Sequence, residues 1–506
     1  MPAYLYDLMA RRAPSPAKVF IETPEGRKLT YGDLHAGSAR MANVLRARGV
    51  EPGDRVAVQV EKSPDAILLY LACLRAGAVF LPLNTAYTPA EIEYFLGDAK
   101  PRVFVCDPAT REKLASVAQG AGVAHVETLG VREDWSLVEA ARAASPDFAD
   151  VERGEDDLAA ILYTSGTTGR SKGAMLSHGN LASNALTLVD YWRFTDKDAL
   201  IHALPIYHTH GLFVAMNTLL LAGGSMFFLP KLDPDLMLQL MGRGATAMMG
   251  VPTFYTRLLA HPGLTHEATK TMRLFVSGSA PLLAETHREW TARTGHAILE
   301  RYGMTETNMN TSNPYDGDRV PGAVGFPLPG VSVRITNPET AEELPRGEIG
   351  MIEVKGPNVF KGYWQMPEKT AAEFRTDGFF ITGDLGKIDE RGYVYIVGRD
   401  KDLVITGGFN VYPIEVETEI DALAGVVESA VIGVSHPDFG EGVTAVVVPK
   451  KDGAPDEKQV IAALEARLAK FKLPKRVLFV NELPRNAMGK VQKAELRKTY
   501  GDLYKK

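Results

Sequence analysis

The sequence predicts an α/β protein with a large N-terminal domain, built on doubly wound, mostly parallel sheets with a small barrel-like section, and a small α+β C-terminal domain. From about residue 55, short apolar runs alternate with longer helical segments, as in parallel sheets covered by helices. After about residue 320, short strands separated by Gly, Pro and Asn turns replace this alternation. The predicted domains are residues 1–399 and 400–506.

The composition is that of an ordinary globular chain, which excludes disordered and fibrous proteins. The 506 residues are 45% hydrophobic and 23% charged, with a formal net charge of -6. This charge gives no overall attraction to nucleic acid or to an anionic membrane, so neither is an expected partner. Only Cys73 and Cys106 are present, and Asp7 precedes Arg11 where a secretory signal would be basic. We therefore expect a cytoplasmic protein.

The N-terminal alternation places its strands and helices in a regular order. Strands are predicted at residues 55–60, 79–83, 103–106, 199–204, 246–251 and 274–277. One helix follows Ser63, and the next begins at Thr88, where Thr88-Pro89-Ala90-Glu91 is typical of a capping box. The uncharged stretch 211–229 is long enough to span a bilayer, but Gly223-Gly224 divides it into a buried helix and a strand.

The C-terminal third has shorter elements and ends in a basic segment. Strands are predicted at residues 331–335, 349–354, 378–382 and 393–397. A last α/β unit begins near Lys401. From Lys470 to the end, eleven Lys or Arg residues stand against three acids. This segment is either a solvated basic face or a patch that meets a phosphorylated ligand.

Residues 163–173, Tyr-Thr-Ser-Gly-Thr-Thr-Gly-Arg-Ser-Lys-Gly, have the composition of a phosphate-binding loop after the apolar strand at 158–162. Glycines let backbone N–H groups approach phosphate oxygens, hydroxyls add donors, and Arg170 and Lys172 add positive charge. The loop is not a Walker A motif, because Lys172 follows Ser171 instead of preceding a Ser or Thr in the required spacing. The usual P-loop NTPase mechanism is therefore disfavoured.

Four further motifs follow this loop in order. They are Arg301-Tyr302-Gly303-Met304-Thr305-Glu306, Thr382-Gly383-Asp384, Gly398-Arg399-Asp400-Lys401-Asp402 and residues 484–490, which end in Lys490. Together the five motifs resemble those of the adenylate-forming superfamily, specifically the AMP-forming acyl-CoA synthetases, and the resemblance covers nearly the whole chain. It implies that ATP, Mg²⁺ and coenzyme A are used. A carboxylate attacks the α-phosphate of ATP and releases pyrophosphate, and a thiol then displaces AMP from the acyl-adenylate.

The resemblance also implies a role for each matching residue. Catalysis is assigned to Lys490, Glu306, Thr305 and His208, with Glu306 and Thr164 holding Mg²⁺. The nucleotide and CoA contacts are assigned to Thr164, Ser165, Gly166, Thr167, Thr168, Gly169, Lys172, Ser279, Tyr302, Asp384, Arg399, Gly407 and Gly408.

By the same resemblance, the C-terminal domain is mobile. It rotates about Lys401 after adenylation, which removes Lys490 and admits the pantetheine arm beside Gly407 and Gly408. Residues 484–490 also resemble the site that bacterial protein acetyltransferases modify. We therefore expect reversible acetylation of Lys490 by an acetyltransferase and a deacetylase, which would remove its charge.

The acyl pocket is expected to contain His208, Ser277 and Met304. His208 and His210 have no third ligand at a suitable spacing, so a metal site there is disfavoured and His208 is interpreted as a pocket wall or gate. Arg288 has small neighbours at helical spacing, and its guanidinium is expected to turn inward and bind a second carboxylate of the substrate. Alternatively, Arg288 pairs with Glu285 on a solvated surface.

Three functions remain open from the sequence. Within the superfamily the chain is most similar to malonyl-CoA synthetases, which implies malonate and often methylmalonate as the small-molecule carboxylate. The alternatives are a CoA ligase for another short, medium-chain or aromatic acid, and a carrier-protein-loading adenylation module or inactive homologue. No Asp occurs from Pro205 to Gly211 to meet a substrate amine, and no carrier domain follows Lys490. Both observations disfavour the carrier-loading alternative.

Overall fold

The fold is known from a computed structural model that describes residues 4–130, 135–164, 171–407, 409–465, 467–486 and 489–505. Its first fifteen strands are β1 (Val19–Glu22), β2 (Lys28–Thr30), β3 (Arg55–Gln59), β4 (Val79–Pro82), β5 (Val103–Cys106), β6 (His125–Thr128), β7 (Leu158–Thr164), β8 (Lys172–Ser177), β9 (Ala199–His202), β10 (Ser225–Phe228), β11 (Ala247–Gly250), β12 (Leu274–Ser277), β13 (Leu299–Met304), β14 (Asn308–Ser312) and β15 (Phe326–Pro327). The later strands are β16 (Ser332–Thr336), β17 (Gly350–Lys355), β18 (Phe380–Ile388), β19 (Val394–Arg399), β20 (Val404–Thr406), β21 (Phe409–Val411), β22 (Val426–His436), β23 (Gly440–Pro449) and β24 (Arg476–Phe479).

The helices occur mainly between the strands of the first two thirds. They are α1 (Tyr4–Arg12), α2 (Tyr31–Ala47), α3 (Pro64–Ala76), α4 (Pro89–Ala99), α5 (Arg111–Gly120), α6 (Ser136–Ala143), α7 (His178–Tyr191), α8 (Thr218–Ala222), α9 (Pro234–Gly242), α10 (Pro252–Leu259), α11 (His266–Thr269), α12 (Ala284–Thr294), α13 (Pro367–Ala372), α14 (Pro413–Asp421), α15 (Glu457–Glu465) and α16 (Lys493–Thr499).

The chain divides into two compact units, and each contains residues from two separate parts of the sequence. The larger unit comprises Met1–Ser332 and Val354–Phe380, and the smaller comprises Val333–Glu353 and Ile381–Lys506. The predicted boundary between residues 399 and 400 does not mark this division, because residues 333–353 and 381–399 belong to the smaller unit.

Two large sheets form the framework of the larger unit. The six-stranded sheet has the order β6-β5-β3-β4-β7-β8, with parallel pairing throughout except between β7 and β8. In α4, Thr88 accepts from the backbone N–H of Glu91 and the Glu91 side chain accepts from that of Thr88, which confirms the predicted capping box. The antiparallel β7–β8 pair brings the two ends of the phosphate-loop segment together, since Thr164 lies opposite Lys172.

The nine-stranded sheet has the order β15-β14-β13-β12-β11-β9-β10-β1-β2. Its neighbours from β13 to β1 pair in parallel, as the alternating apolar runs predict. The carboxyl ends of β9, β12 and β13 therefore lie at one edge, where ligands of open α/β sheets bind.

The uncharged stretch after residue 210 is a helix followed by a strand. It begins as a π-helix from His210 to Asn217 and continues into α8, which ends at Gly223 with a φ of 73°. Strand β10 follows within the sheet. Among the described residues, no helix combines the length and the apolar character needed to cross a membrane.

The smaller unit contains two further sheets. Strands β16 to β19 form a four-stranded sheet in chain order, and β21-β20-β23-β22 form a second sheet in which β24 pairs in parallel with β23. Buried valines of β20, β21 and β23 pack with Val416 and Ile420 of α14 in its core. The sequence-based expectation of a small α+β C-terminal domain is confirmed.

Candidate active site

The two ends of the predicted phosphate loop are held in place within the larger unit. The Thr164 hydroxyl donates to the carbonyl of Lys172 over 3.4 Å. The Lys172 ammonium lies 3.1 Å from the Glu373 carboxylate and 4.1 Å from the centre of the Tyr363 ring. The other assigned loop residues lie outside the described part of the chain: Ser165, Gly166, Thr167, Thr168 and Gly169.

Glu306 lies buried in the turn between β13 and β14, directly after the half-buried Thr305. Its backbone carbonyl accepts from Phe360, and its carboxylate is 3.1 Å from the Tyr363 hydroxyl. Burial raises the pKa of Glu306, although hydrogen bonding and Lys172 oppose the shift. A buried carboxylate of this kind can be compensated by a divalent cation.

The Glu306 environment fits Mg²⁺, a hard cation that prefers oxygen ligands. The Glu306 carboxylate and the Thr164 hydroxyl supply oxygens of the right type. Among the described residues, no group of three or more His, Cys, Asp or Glu side chains could hold a metal ion by itself. Glu306 and Thr164 would hold the ion, whose positive charge would offset the negative charge of the phosphates.

The expected acyl-pocket residues meet at the edge of the nine-stranded sheet. The His208 ring accepts from the His210 backbone N–H over 3.2 Å, and the His210 ring is 3.2 Å from the Ser279 hydroxyl. Ser279 has a φ of 71°, and Ser277 is buried at the end of β12. Burial, followed by the charge of Arg301, lowers the pKa of His208 to about 4. The hydrogen bond accepted by the His208 ring and its lowered pKa both favour a neutral His208 in the pocket wall.

Tyr302 and Met304 lie on β13, beside this pocket. Tyr302 is buried, and its hydroxyl is 4.0 Å from the Met304 sulfur. Strand β13 thus carries an aromatic face suited to adenine and an apolar side chain suited to the acyl group.

Arg301 is a candidate functional residue that opens the Arg301–Glu306 motif and to which the sequence analysis gave no role. It is 4% exposed on β13, and among the described residues its Nε and Nη2 atoms have no hydrogen-bond partner. Burial lowers its pKa to about 9. A Cβ added to Gly278 would lie 2.3 Å from the Arg301 Cζ, so the guanidinium packs directly on the Gly278 backbone. A buried guanidinium with free donors is suited to an anionic ligand, especially a carboxylate.

The expectation that Arg288 turns inward is wrong. Arg288 is exposed on α12, as is Glu285. The orientation of α12 is set by Trp290, which is fully buried against Tyr255 and Phe275. Because Trp290 faces the interior, Arg288 lies on the opposite, exposed side of α12 despite its small neighbours. The buried cation expected for a second carboxylate is therefore Arg301 and not Arg288.

In the smaller unit, Asp384 and Arg399 face each other on adjacent strands. They are register partners on β18 and β19, and the Arg399 Nε lies 3.2 Å from the Asp384 Oδ1. The Asp384 backbone N–H donates to the Thr382 hydroxyl over 3.0 Å, which fixes the turn at Gly383. The Asp384 carboxylate is thereby held at a defined place on β18 beside Arg399.

Lys490 and the described residues next to it are hydrogen-bonded to one another and to β22. The Lys490 backbone N–H donates to the Asn486 Oδ1 over 3.0 Å, and the Arg485 guanidinium binds both the Gly489 carbonyl and Glu428. Burial, and next the charge of Arg399, lowers the pKa of Lys490 to about 8, while Asp384 opposes the shift. Lys490 therefore shares its environment with the Asp384–Arg399 pair.

The residues expected to act as the hinge and to contact CoA, Lys401, Gly407 and Gly408, follow Arg399 in the sequence. Lys401 is in a 3₁₀ turn, Asp400–Asp402, and the carboxylate of Asp402 is 2.8 Å from the Arg497 guanidinium. Gly407 has a φ of 58° and donates its N–H to the Phe439 carbonyl over 2.8 Å. Gly408 is outside the described residues.

Two family models match the chain. Residues 8–364 match the AMP-binding enzyme family and residues 415–490 match the AMP-binding enzyme C-terminal domain. The chain is 38% identical to a feruloyl-CoA synthase from Amycolatopsis sp, over 94% of this chain and 95% of the relative. It is 33% identical to a malonate–CoA ligase from Arabidopsis thaliana, over 94% and 85%. The structure of ATP-bound MatB from Rhodopseudomonas palustris matches with a TM-score of 0.98 and 69% identity, covering 100% of both chains.

The position of Lys490 beside Arg399 and Asp384 predicts how its amine titrates. Competitive labelling with an acetylating reagent over a pH series, read by mass spectrometry, should give half-maximal reactivity of Lys490 near pH 8. Arg399→Gln should raise this midpoint because a cation is removed, and Asp384→Asn should lower it because an anion is removed. A midpoint near 10.5 that neither substitution moves would show that Lys490 lies elsewhere.

Proposed function

The chain belongs to the AMP-binding enzyme family, and we propose that it ligates malonate, and also methylmalonate, to coenzyme A. The reaction passes through an acyl-AMP intermediate and releases AMP and pyrophosphate, which makes the enzyme an AMP-forming acid–thiol ligase. The similarity to malonate–CoA ligases supports this assignment, and so does the similarity to an enzyme solved with bound ATP. The substrates ATP and CoA favour the cytoplasm as the place of action.

The observation that carries the choice of acid is that Nε and Nη2 of the buried Arg301 find no hydrogen-bond partner among the described residues. Malonate keeps a second carboxylate after the first has joined AMP, and this negative group needs a buried cation. In the described part of the chain these two donors have no partner, and the guanidinium packs on Gly278 and acts electrostatically on His208 and His210. An aromatic monocarboxylate, as the similarity to a feruloyl-CoA synthase would suggest, has no second carboxylate and leaves the Arg301 charge uncompensated, which is costly in a buried site.

The residues of the two units have separate proposed roles in adenylation. In the larger unit, Lys172 binds phosphate oxygens, Thr305 contacts the α-phosphate, and Glu306 with Thr164 holds Mg²⁺, which when bound neutralises phosphate charge. In the smaller unit, Asp384 accepts from the ribose hydroxyls with Arg399 beside it. Lys490 offsets the repulsion between carboxylate and α-phosphate. Positioning and charge neutralisation are what this chemistry needs.

The second half-reaction needs the CoA thiol and not the Lys490 charge. Gly407 offers a backbone surface without a side chain for the pantetheine arm, and Lys401 is the proposed hinge. Near Gly407 in the sequence, the exposed ring of Phe409 stacks on the partly buried ring of Phe471, with ring centres 4.7 Å apart. With the neighbouring Lys470, this pair offers stacking and charge to the nucleotide part of CoA.

Arg301→Met should abolish the preference for malonate. Loss of a charge-assisted, bidentate contact of about 3 kcal/mol lowers kcat/KM for malonate roughly 100-fold, whereas kcat/KM for acetate is unchanged or higher. Initial rates of pyrophosphate release measure both values. Arg288→Ala is the matched control, and it should leave the malonate-to-acetate ratio within about threefold. If Arg301→Met kept the wild-type ratio, the second-carboxylate contact would be refuted.

Lys490→Ala should separate the two half-reactions. Without the ammonium, ATP–pyrophosphate exchange with malonate is lost, but conversion of supplied malonyl-AMP and CoA to malonyl-CoA persists. Lys498→Ala, which removes an exposed lysine of α16, serves as the control and should retain both steps. Equal loss of both steps in the Lys490 variant would contradict the separate roles.

We also propose that a protein acetyltransferase and a deacetylase act on Lys490. The neighbouring Arg485 and Asn486 are exposed, so the loop is accessible to another protein. Acetylation removes the charge, and adenylation should fall in proportion to the modified fraction. Treatment with a bacterial lysine acetyltransferase and acetyl-CoA, followed by peptide mass spectrometry, tests this, with Lys490→Arg as the control. An unmodified Lys490 after such treatment would argue against the proposal.

A further inference from the structure

Glu373, which directly follows α13, is the meeting point of three donors in the larger unit. Its carboxylate lies 3.1 Å from the Lys172 ammonium, 2.8 Å from the Lys369 ammonium and 2.6 Å from the Tyr363 hydroxyl. The Glu373 side chain is only 19% exposed. Burial would raise its pKa, but the hydrogen bonds from Lys369, Tyr363 and Lys172 lower it. Glu373 is therefore an anion held within a fixed set of donors.

Lys172 is the partner with a role in the proposed function. A lysine side chain is flexible and has three N–H donors, so it rarely adopts one orientation by itself. Here one side of the ammonium meets Glu373 and another lies 4.1 Å from the centre of the Tyr363 ring. These contacts restrain the ammonium at the start of β8 while leaving donors for phosphate oxygens.

Tyr363 extends the contact from Glu373 to Glu306. Its hydroxyl lies between two carboxylates, 2.6 Å from Glu373 and 3.1 Å from Glu306. Because one hydroxyl carries one proton, the positions of the two carboxylates are coupled through it. Glu373 thus contacts Lys172 directly and is linked to Glu306 through the Tyr363 hydroxyl.

Thr370 fixes the segment that carries both Tyr363 and Glu373. Its hydroxyl accepts from the Tyr363 backbone N–H over 2.9 Å and donates to the Met366 carbonyl over 2.9 Å. This pair of bonds ties α13 to the chain at Tyr363. The Glu373 carboxylate therefore has a defined place relative to β8 and to the turn that contains Glu306.

We propose that Glu373 is a positioning residue for the nucleotide. Its carboxylate holds Lys172 and, through Tyr363, Glu306 in the arrangement that the triphosphate and its magnesium ion meet. The proposal depends on the nucleotide site of the proposed function but not on the identity of the acid. Glu373 touches neither the reacting carboxylate nor the α-phosphate in this account, so it acts only through Lys172 and Tyr363.

The test is direct binding of MgATP, without an acid, to the full-length protein by isothermal titration calorimetry. Glu373→Gln should weaken binding tenfold or more and raise the KM for ATP by a similar factor. The KM for malonate should stay within twofold, and the melting temperature without nucleotide should be close to that of the wild type. Glu368→Gln, which changes an exposed acid of α13, is the matched control and should bind MgATP normally.

Two further variants separate positioning from a general loss of structure. Glu373→Asp should recover part of the affinity, because the negative charge is kept. Tyr363→Phe should raise the magnesium concentration needed for half-maximal nucleotide binding, because the link to Glu306 is lost. Wild-type affinity in Glu373→Gln, or equal increases in the KM for ATP and malonate with a lower melting temperature, would overturn the proposal. Failure of the wild-type protein to bind MgATP would instead refute the proposed function on which it rests.

Discussion

The burial of the Arg301 guanidinium is the constraint on which the interpretation of this protein depends. A charged group removed from water is costly unless it is paired, and the cost of leaving an ion unpaired is several kcal/mol. The described chain supplies no partner for Nε and Nη2 of Arg301. The two neighbouring histidines supply no negative charge, because an imidazole is either neutral or cationic, and burial and the charge of Arg301 lower their pKa values and so favour the neutral ring. The missing partner is therefore expected to arrive with the substrate.

A second principle is that the protein's own side chains hold the charged groups in fixed positions. Lys172 is restrained by Glu373 and Tyr363, and Asp384 is paired with Arg399 on adjacent strands. The backbone N–H of Lys490 donates to the side-chain oxygen of Asn486. Such pre-arranged groups need little reorganisation when charge develops during the reaction, which is how electrostatic catalysis gains most of its effect.

Much of the fold was predictable because it depends on local signals. The capping box at Thr88 and the short apolar strands of the parallel sheets are set by neighbouring residues, so they occur where the sequence indicated. The division into units was not predictable, because residues 333–353 join the smaller unit through contacts distant in sequence. The motif that contains Glu306 was recognisable, but its contact with Tyr363 depends on a segment more than fifty residues away.

The residue proposed to bind the second carboxylate could not be predicted either, because its burial depends on contacts distant in sequence. Spacing on α12 could not reveal which face of the helix is buried, since Trp290 decides that by packing against Tyr255 and Phe275. On β13, both Glu300 and Arg301 are buried, so strand alternation alone could not identify Arg301 either.

Pyrophosphate release by the wild-type protein across a panel of acids tests the central claim most directly. Malonate and methylmalonate should support release far better than acetate, benzoate or ferulate, and a preference for any of these monocarboxylates would contradict it.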